Sequence, residues 1–332
     1  MYKWYIRLVY TATVLALCVV VLGAWVRLTD AGLGCPDWPG CYGSLIVPDA
    51  QENSAAAYPE RPLEAGKAWR EMIHRYLATT LGLVIVLAAG LAWLNRREPG
   101  QPVTLPLALL GVVIFQGLLG MWTVTLLLKP VIVMAHLLGG LTTLGLLFWL
   151  LLEHRRRPES RLLREASLPA LVGLVVLTCQ IALGGWTSSN YAALACPDLP
   201  TCQGQWWPET ADFAEGFVLW RGLGIDYEGG VLEAPARVAI HFTHRLGAIV
   251  TFLLLGLLGL GAARRATTPI RQSAGWFVLA ALSAQVLIGL GVVWFGLPLS
   301  LATAHNGVAA LLLLATINLN HAASLSASPA RA

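Results

Sequence analysis

The sequence predicts an all-α integral membrane protein. Eight transmembrane helices are expected as two tandem four-helix bundles, related by a pseudo-twofold axis along the membrane normal. Three observations predict it. Of 332 residues, 57% are hydrophobic and only 12% charged, against about 25% charged in a soluble domain. Eight apolar stretches approach the roughly 20 residues that cross a bilayer. The second half of the chain repeats the first. The net charge of +4 does not imply nucleic acid, because the basic residues lie in short loops. There is no zinc finger, phosphate loop or long basic tract. Lipid is the expected surrounding.

The helices are expected at roughly 8–28, 73–94, 103–125, 131–152, 168–189, 241–262, 273–295 and 299–320. Lys3 and Arg7 ahead of an apolar run resemble a signal peptide. The run is long enough to span and has an internal counterpart, so it is read as a retained helix. Basic loops stay in the cytoplasm. Lys3 and Arg7, then Arg96 and Arg97, then Arg155, Arg156, Arg157, Arg161 and Arg164, then Arg264, Arg265 and Arg271 all fall on one side if both termini are cytoplasmic. The long loops 29–72 and 190–240 then face outward. A bacterial cytoplasmic membrane fits this topology.

The repeat sets the domains. Cys18, Cys35 and Cys41 recur 161 residues later as Cys179, Cys196 and Cys202. His74-Arg75 recurs after 170 residues as His244-Arg245. Gln116, Gly120 and His136 recur after 169 as Gln285, Gly289 and His305. The drift places a net insertion in the second outer loop. Each repeat has an even number of helices, so both enter the membrane from the same side. The expected domains are 1–154 and 155–332.

Each repeat offers a pair of histidines on two helices, near the outer face: His74 with His136, and His244 with His305. Paired imidazoles in a helical bundle suit an axially ligated haem. Hydrogen bonding between helices is the plainer alternative, but duplicated intramembrane pairs favour ligation. Zinc would need more ligands than two per bundle. Arg75 and Arg245 are candidates to pair with haem propionates. His154 and His321 are expected to be solvated or interfacial. His241 stands where the first repeat has Glu71, so the two sites differ chemically, and its role is left open. Glu71 is either a salt-bridge partner for Arg70 or Arg75, or a proton acceptor beside the bound macrocycle.

Cys35 with Cys41 and Cys196 with Cys202 lie in loops expected on the oxidising side, so two disulfides are expected. Each closes a short loop, a gain of roughly 2 kcal/mol. They brace the loops, or serve a redox or haem-handling role; zinc binding by all four is a weaker reading. Cys18 and Cys179 are read as small apolar fillers within helices. Trp4, Trp25, Trp122, Trp186 and Trp294 are read as interfacial anchors. Trp206-Trp207 is expected to cover a haem or touch the membrane.

The segment from Gly23 through Arg27 to Cys35-Pro-Asp-Trp-Pro-Gly-Cys41, followed by Glu71-x-x-His74-Arg75, His136, His244-Arg245 and His305, resembles the haem A synthase family over nearly the whole chain. That resemblance implies oxidation of the C8 methyl of haem O to a formyl group by two successive hydroxylations. It implies a haem b cofactor on His244 and His305, substrate haem O on His74 and His136, and Glu71 as the essential carboxylate. The family's paired outer cysteines match both pairs here, and His241 is the departure. A haem O synthase and cytochrome oxidase assembly are the implied partners; self-association into a homo-oligomer is left open. The rival readings are a di-haem b electron-transfer protein of the quinol oxidoreductase kind, a haem transporter, and a thiol-disulfide enzyme. The Cys-x5-Cys spacing counts against the last.

Overall fold

A computed structural model describes residues 2–49, 58–154 and 167–324. Eight helices among them are long and apolar enough to cross a membrane, as expected. They are α1 (Tyr2–Leu28), α2 (Ala65–Leu94), α3 (Thr104–Thr125), α4 (Pro130–His154), α5 (Leu168–Ser189), α6 (Ala234–Arg265), α7 (Pro269–Trp294) and α8 (Leu299–Ala323). Arg155, Arg156, Arg157, Arg161 and Arg164 lie outside the described residues, as does the boundary expected after residue 154.

α2 and α6 begin about two turns earlier than hydropathy suggests. In α2 these turns carry Lys67, Arg70 and Glu71, which a hydropathy window reads as loop, and in α6 they hold Pro235 and Arg237. Both sets of turns pack under the disulfide loops. Ala68 and Met72 are buried with Cys35, Cys41 and Val47; Val238 and Phe242 are buried with Cys196 and Cys202. Both disulfides are formed, so the four cysteines do not form one zinc site.

The helix contacts follow the repeat. In the first half α1 packs on α2 and α4, and α3 packs on α2 and α4. The second half repeats this with α5 on α6 and α8, and α7 on α6 and α8. Between halves, α1 meets α8, α4 meets α5, and α4 meets α8. Exchanging the halves maps the first of these contacts onto the second and the third onto itself. A twofold axis between α4 and α8 gives that pattern. Repeat-equivalent residues also bond to each other. Arg27 donates to the Ser188 carbonyl at 2.7 Å, and the Tyr191 hydroxyl donates to Asp30 at 2.9 Å. Lipid offers little hydrophobic drive between helices, so close packing has to hold them. At the α4–α8 contact, a Cβ on Gly145 would stand 2.9 Å from Ile317.

The insertion in the second outer loop crosses to the first half. Lys129, between α3 and α4, is 2% exposed. Its ammonium donates to the carbonyls of Arg221 at 2.6 Å and Gly222 at 2.5 Å and lies over the Trp220 ring. The Tyr227 amide donates to Leu127, and Arg61 pairs with Asp226 and Glu228.

Some side chains depart from expectation. Cys18 and Cys179 are exposed on the helix surface and do not fill the interior. Trp186 is buried and donates to the Gly216 carbonyl, so it is a packing residue and not an interfacial anchor. His321 is buried 3.1 Å from Glu153 instead of solvated. His154 accepts from or donates to the Tyr2 hydroxyl at 2.8 Å.

Candidate functional site

All four candidate ligands sit in the early turns of even-numbered helices, at the end that carries the disulfide loops. Each imidazole packs into a notch made by a glycine on the preceding helix. A Cβ on Gly23, Gly120, Gly184 or Gly289 would stand 2.9, 3.3, 3.2 or 2.8 Å from Cε1 of His74, His136, His244 or His305. The notches let each ring lie flush against its neighbour.

In the first half, His74 and His136 line one cavity of about 470 Å³. Ligand pockets span roughly 300–1,000 Å³. Its walls are mainly apolar, and Arg27, Trp38, Glu71, Arg75 and Gln116 supply its polar and aromatic edge. In the second half, His244 and His305 sit in the matching notches against Gly184 and Gly289.

A planar iron macrocycle can be tested against these residues. Nδ1 of His74, His136 and His305 is buried without a hydrogen-bond partner. An unpaired buried polar atom costs about 1–3 kcal/mol. Three of them, at related positions, mark imidazoles oriented for something other than protein. Two imidazoles per half in glycine notches, three of the four with an orphaned Nδ1 and the first pair in an apolar cavity, fit axial ligation.

The halves differ in what supports the rings. Gln180 Nε2 is 3.1 Å from His244 Nδ1, and Gln285 Nε2 is 3.3 Å from His305 Nε2. In the first half, Gln116 reaches only the His136 carbonyl, at 2.7 Å. Val19 stands at the position matching Gln180. His74 therefore has no amide beside it from that position.

Glu71 lines the cavity, yet both its oxygens are engaged. One accepts the Cys35 amide at 2.9 Å, and the other meets Arg75 at 2.5 Å. Arg70 is not its partner; that side chain bonds the Gly66 carbonyl. Arg75 also donates to the carbonyls of Asp37, Pro39 and Gly40. Arg245 likewise donates to Cys196, Asp198 and Thr201 carbonyls. Both arginines therefore clamp the Cys-Pro-Asp loops. His241 occupies the same place as Glu71, because its Nδ1 accepts the Cys196 amide at 3.2 Å. That bond puts the ring proton on Nε2. The 3.3 Å approach of Arg245 Nε to Nε2 is then packing between two N–H groups.

The loops are built alike. Asp37 accepts the amides of Tyr42 and Gly43, two residues with positive φ. Asp198 does the same for Gln203 and Gly204. The Thr201 hydroxyl, with those amides, holds the Asp198 carboxyl down to about 2. Trp206 and Trp207 are exposed; Trp207 also packs on Phe213 and Phe242.

Sequence reasoning missed Gln180 and the placement of Arg27. One signal was available for each: Gln180 and Arg27 each face an uncharged, dissimilar residue, Val19 and Ser188, at the matching position.

Fold and site together define a polytopic helical membrane protein with duplicated pairs of inward-facing imidazoles. Residues 6–317 match the family model COX15-CtaA, described as cytochrome oxidase assembly protein. The chain belongs to that family. It is 44% identical to a protein named heme A synthase from Shewanella oneidensis, over 96% of this chain and 95% of the relative. It is 30% identical to a heme A synthase from Novosphingobium aromaticivorans, over 93% of this chain and 92% of the relative. A heme A synthase from Rhizorhabdus wittichii is 27% identical over 93% of this chain and 90% of the relative.

Proposed function

We propose that this chain is a haem A synthase, a membrane oxidoreductase that converts the C8 methyl of haem O to a formyl group by two successive hydroxylations. The observation that carries the reading is that His74 and His136 share one largely apolar cavity edged by Glu71. The 44% identity to a protein of that name supports it.

The first half, 1–154, is the substrate site. His74 and His136 hold the iron of haem O, and the apolar walls take the macrocycle and its lipophilic tail. The second half, 155–332, holds haem b on His244 and His305, and that group supplies one-electron redox chemistry when bound. The glutamines support the division. Amides flank both second-half ligands, and their buried Oε1 atoms have no partner. With the amide turned, that oxygen accepts the ring N–H and leaves the other ring nitrogen for iron, which suits a resident group. A His74 without a flanking amide suits a substrate that leaves.

Glu71 fixes the Cys35 loop over the cavity and presents a carboxylate to it. A carboxylate has about four lone-pair sites, so two bonds leave capacity to accept a proton released during hydroxylation. Arg75 keeps that carboxylate oriented. Both disulfide loops close the same end against water. Both termini are cytoplasmic, in a bacterial cytoplasmic membrane. A haem O synthase supplies the substrate, and cytochrome oxidase assembly takes the product.

Mass spectrometry of pigments extracted from the purified protein, made with and without haem O, tests this. Haem A is expected only when haem O is supplied. Two bound haem b groups and no haem A would favour the electron-transfer reading.

A further inference from the structure

We propose that Arg27 is the residue that binds the substrate's carboxylates in the first cavity. The inference deepens the reading above and rests on it for the identity of the ligand.

Arg27 lines the cavity together with His74 and His136. It lies four residues beyond Gly23, the glycine against which the His74 ring packs. That spacing puts both on one face of α1, about 6 Å apart along the axis. Arg27 is therefore rooted one turn from the glycine that holds the ligand ring, on the side of the disulfide loops, and its side chain lines the same cavity. Carboxylates that project from the edge of a macrocycle held by His74 and His136 fall at that level.

The other arginine of the cavity, Arg75, has its charge matched by Glu71 at 2.5 Å and its Nη1 held by the loop. Arg75 meets one carboxylate and three backbone carbonyls. Arg27 has a single long carboxylate contact, Asp30 at 3.4 Å, and its side chain is 15% exposed while that of Asp30 is 51% exposed. Its other partner is the Ser188 carbonyl at 2.7 Å. A guanidinium has five N–H donors in a fixed fork that matches a carboxylate bidentately. Two are used here, which leaves donors and charge for a ligand.

Its orientation is set by the other half of the molecule. The Tyr191 ring lies 4.2 Å from the guanidinium carbon, and Tyr191 and Ser188 both belong to the second repeat. Ser188 is itself the repeat counterpart of Arg27, so the second half has no cation at this position. The two haem sites are thus distinguished by charge as well as by the glutamines.

The test uses the full-length protein, purified with its resident haem, and titrates it with iron protoporphyrin IX or its dimethyl ester. Absorbance difference spectra report binding. The wild type is expected to bind the diacid at least tenfold more tightly than the diester. Arg27→Gln is expected to remove that preference while the resident haem content stays unchanged. Arg27→Lys keeps the charge but not the fork, and is expected to reduce the preference at least threefold; it decides the matter if Arg27→Gln does not fold. An undiminished preference in either folded variant overturns the proposal. Conversion of haem O by a variant with undiminished preference would overturn this inference and leave the function standing. Discrimination through Arg27 without any conversion by the wild type would do the reverse. A wild type that binds neither porphyrin in its first half overturns both.

Discussion

Glu71 accepts a hydrogen bond from the backbone amide of Cys35 at 2.9 Å. The carboxylate that edges the cavity is therefore also the anchor of the disulfide loop above it. In the second half His241 makes the matching bond to Cys196. One position in the repeat thus has a shared structural duty, and only the first copy adds a carboxylate.

Glu71→Ala strands the Cys35 amide and leaves Arg75 without its carboxylate partner. Both side chains of that pair are largely buried, at 6% and 13% exposure, so the loss is on the order of 3 kcal/mol. The variant should melt at lower temperature and keep haem b, yet give no formyl product. Glu71→Gln can still accept the Cys35 amide and should recover most of the stability but not the product. Calorimetry with pigment analysis separates the two effects. Normal haem A from Glu71→Gln would remove the carboxylate from the chemistry.

His241 should be dispensable for iron ligation. His241→Ala is expected to keep the low-spin spectrum of a bis-imidazole haem and lose about 1–3 kcal/mol through the orphaned Cys196 amide. His244→Ala and His305→Ala are expected to lose that spectrum. Its loss in His241→Ala would make this residue a ligand after all.

Gln180→Val copies the first repeat, where Val19 stands, into the second. Removing a group that orients a ligand weakens metal binding by roughly 10–100-fold. Haem b per mole of purified protein should fall after detergent washing. Full retention would show that the amide does not brace His244.

Lys129 latches the second repeat's outer loop onto the first half. In Lys129→Ala the carbonyls of Arg221 and Gly222 lose their donor, at a cost of about 1–3 kcal/mol for each left unpaired. Limited proteolysis should then cut between residues 217 and 232 faster than in the wild type. Equal cleavage rates would mean that Arg61 and Tyr227 hold the segment without it.

Much of this was legible in the sequence because it is periodic or repeated. The eight spans follow from apolar length, and the histidine pairs follow from the offsets between the repeats. The first turns of α2 were not legible, since residues 65–72 average out as polar although Ala68 and Met72 are buried. The Glu71–Arg75 pair was among the readings the sequence offered, but the loop partners of Arg75 and His241 were hidden. They are backbone groups of loops, and the path of a loop sets those bonds without leaving a pattern in residue type. Arg27 reads as an ordinary basic helix end until the fold sets it beside the His74 cavity.

The central claim is that the His74–His136 pair holds haem O as substrate while the His244–His305 pair holds haem b. The most direct measurement is pigment analysis of wild type and His74→Ala, each produced with a haem O synthase. Wild type should yield haem A and haem b; His74→Ala should retain haem b and yield no haem A. Haem A from His74→Ala at the wild-type level would show that His74 does not hold the substrate.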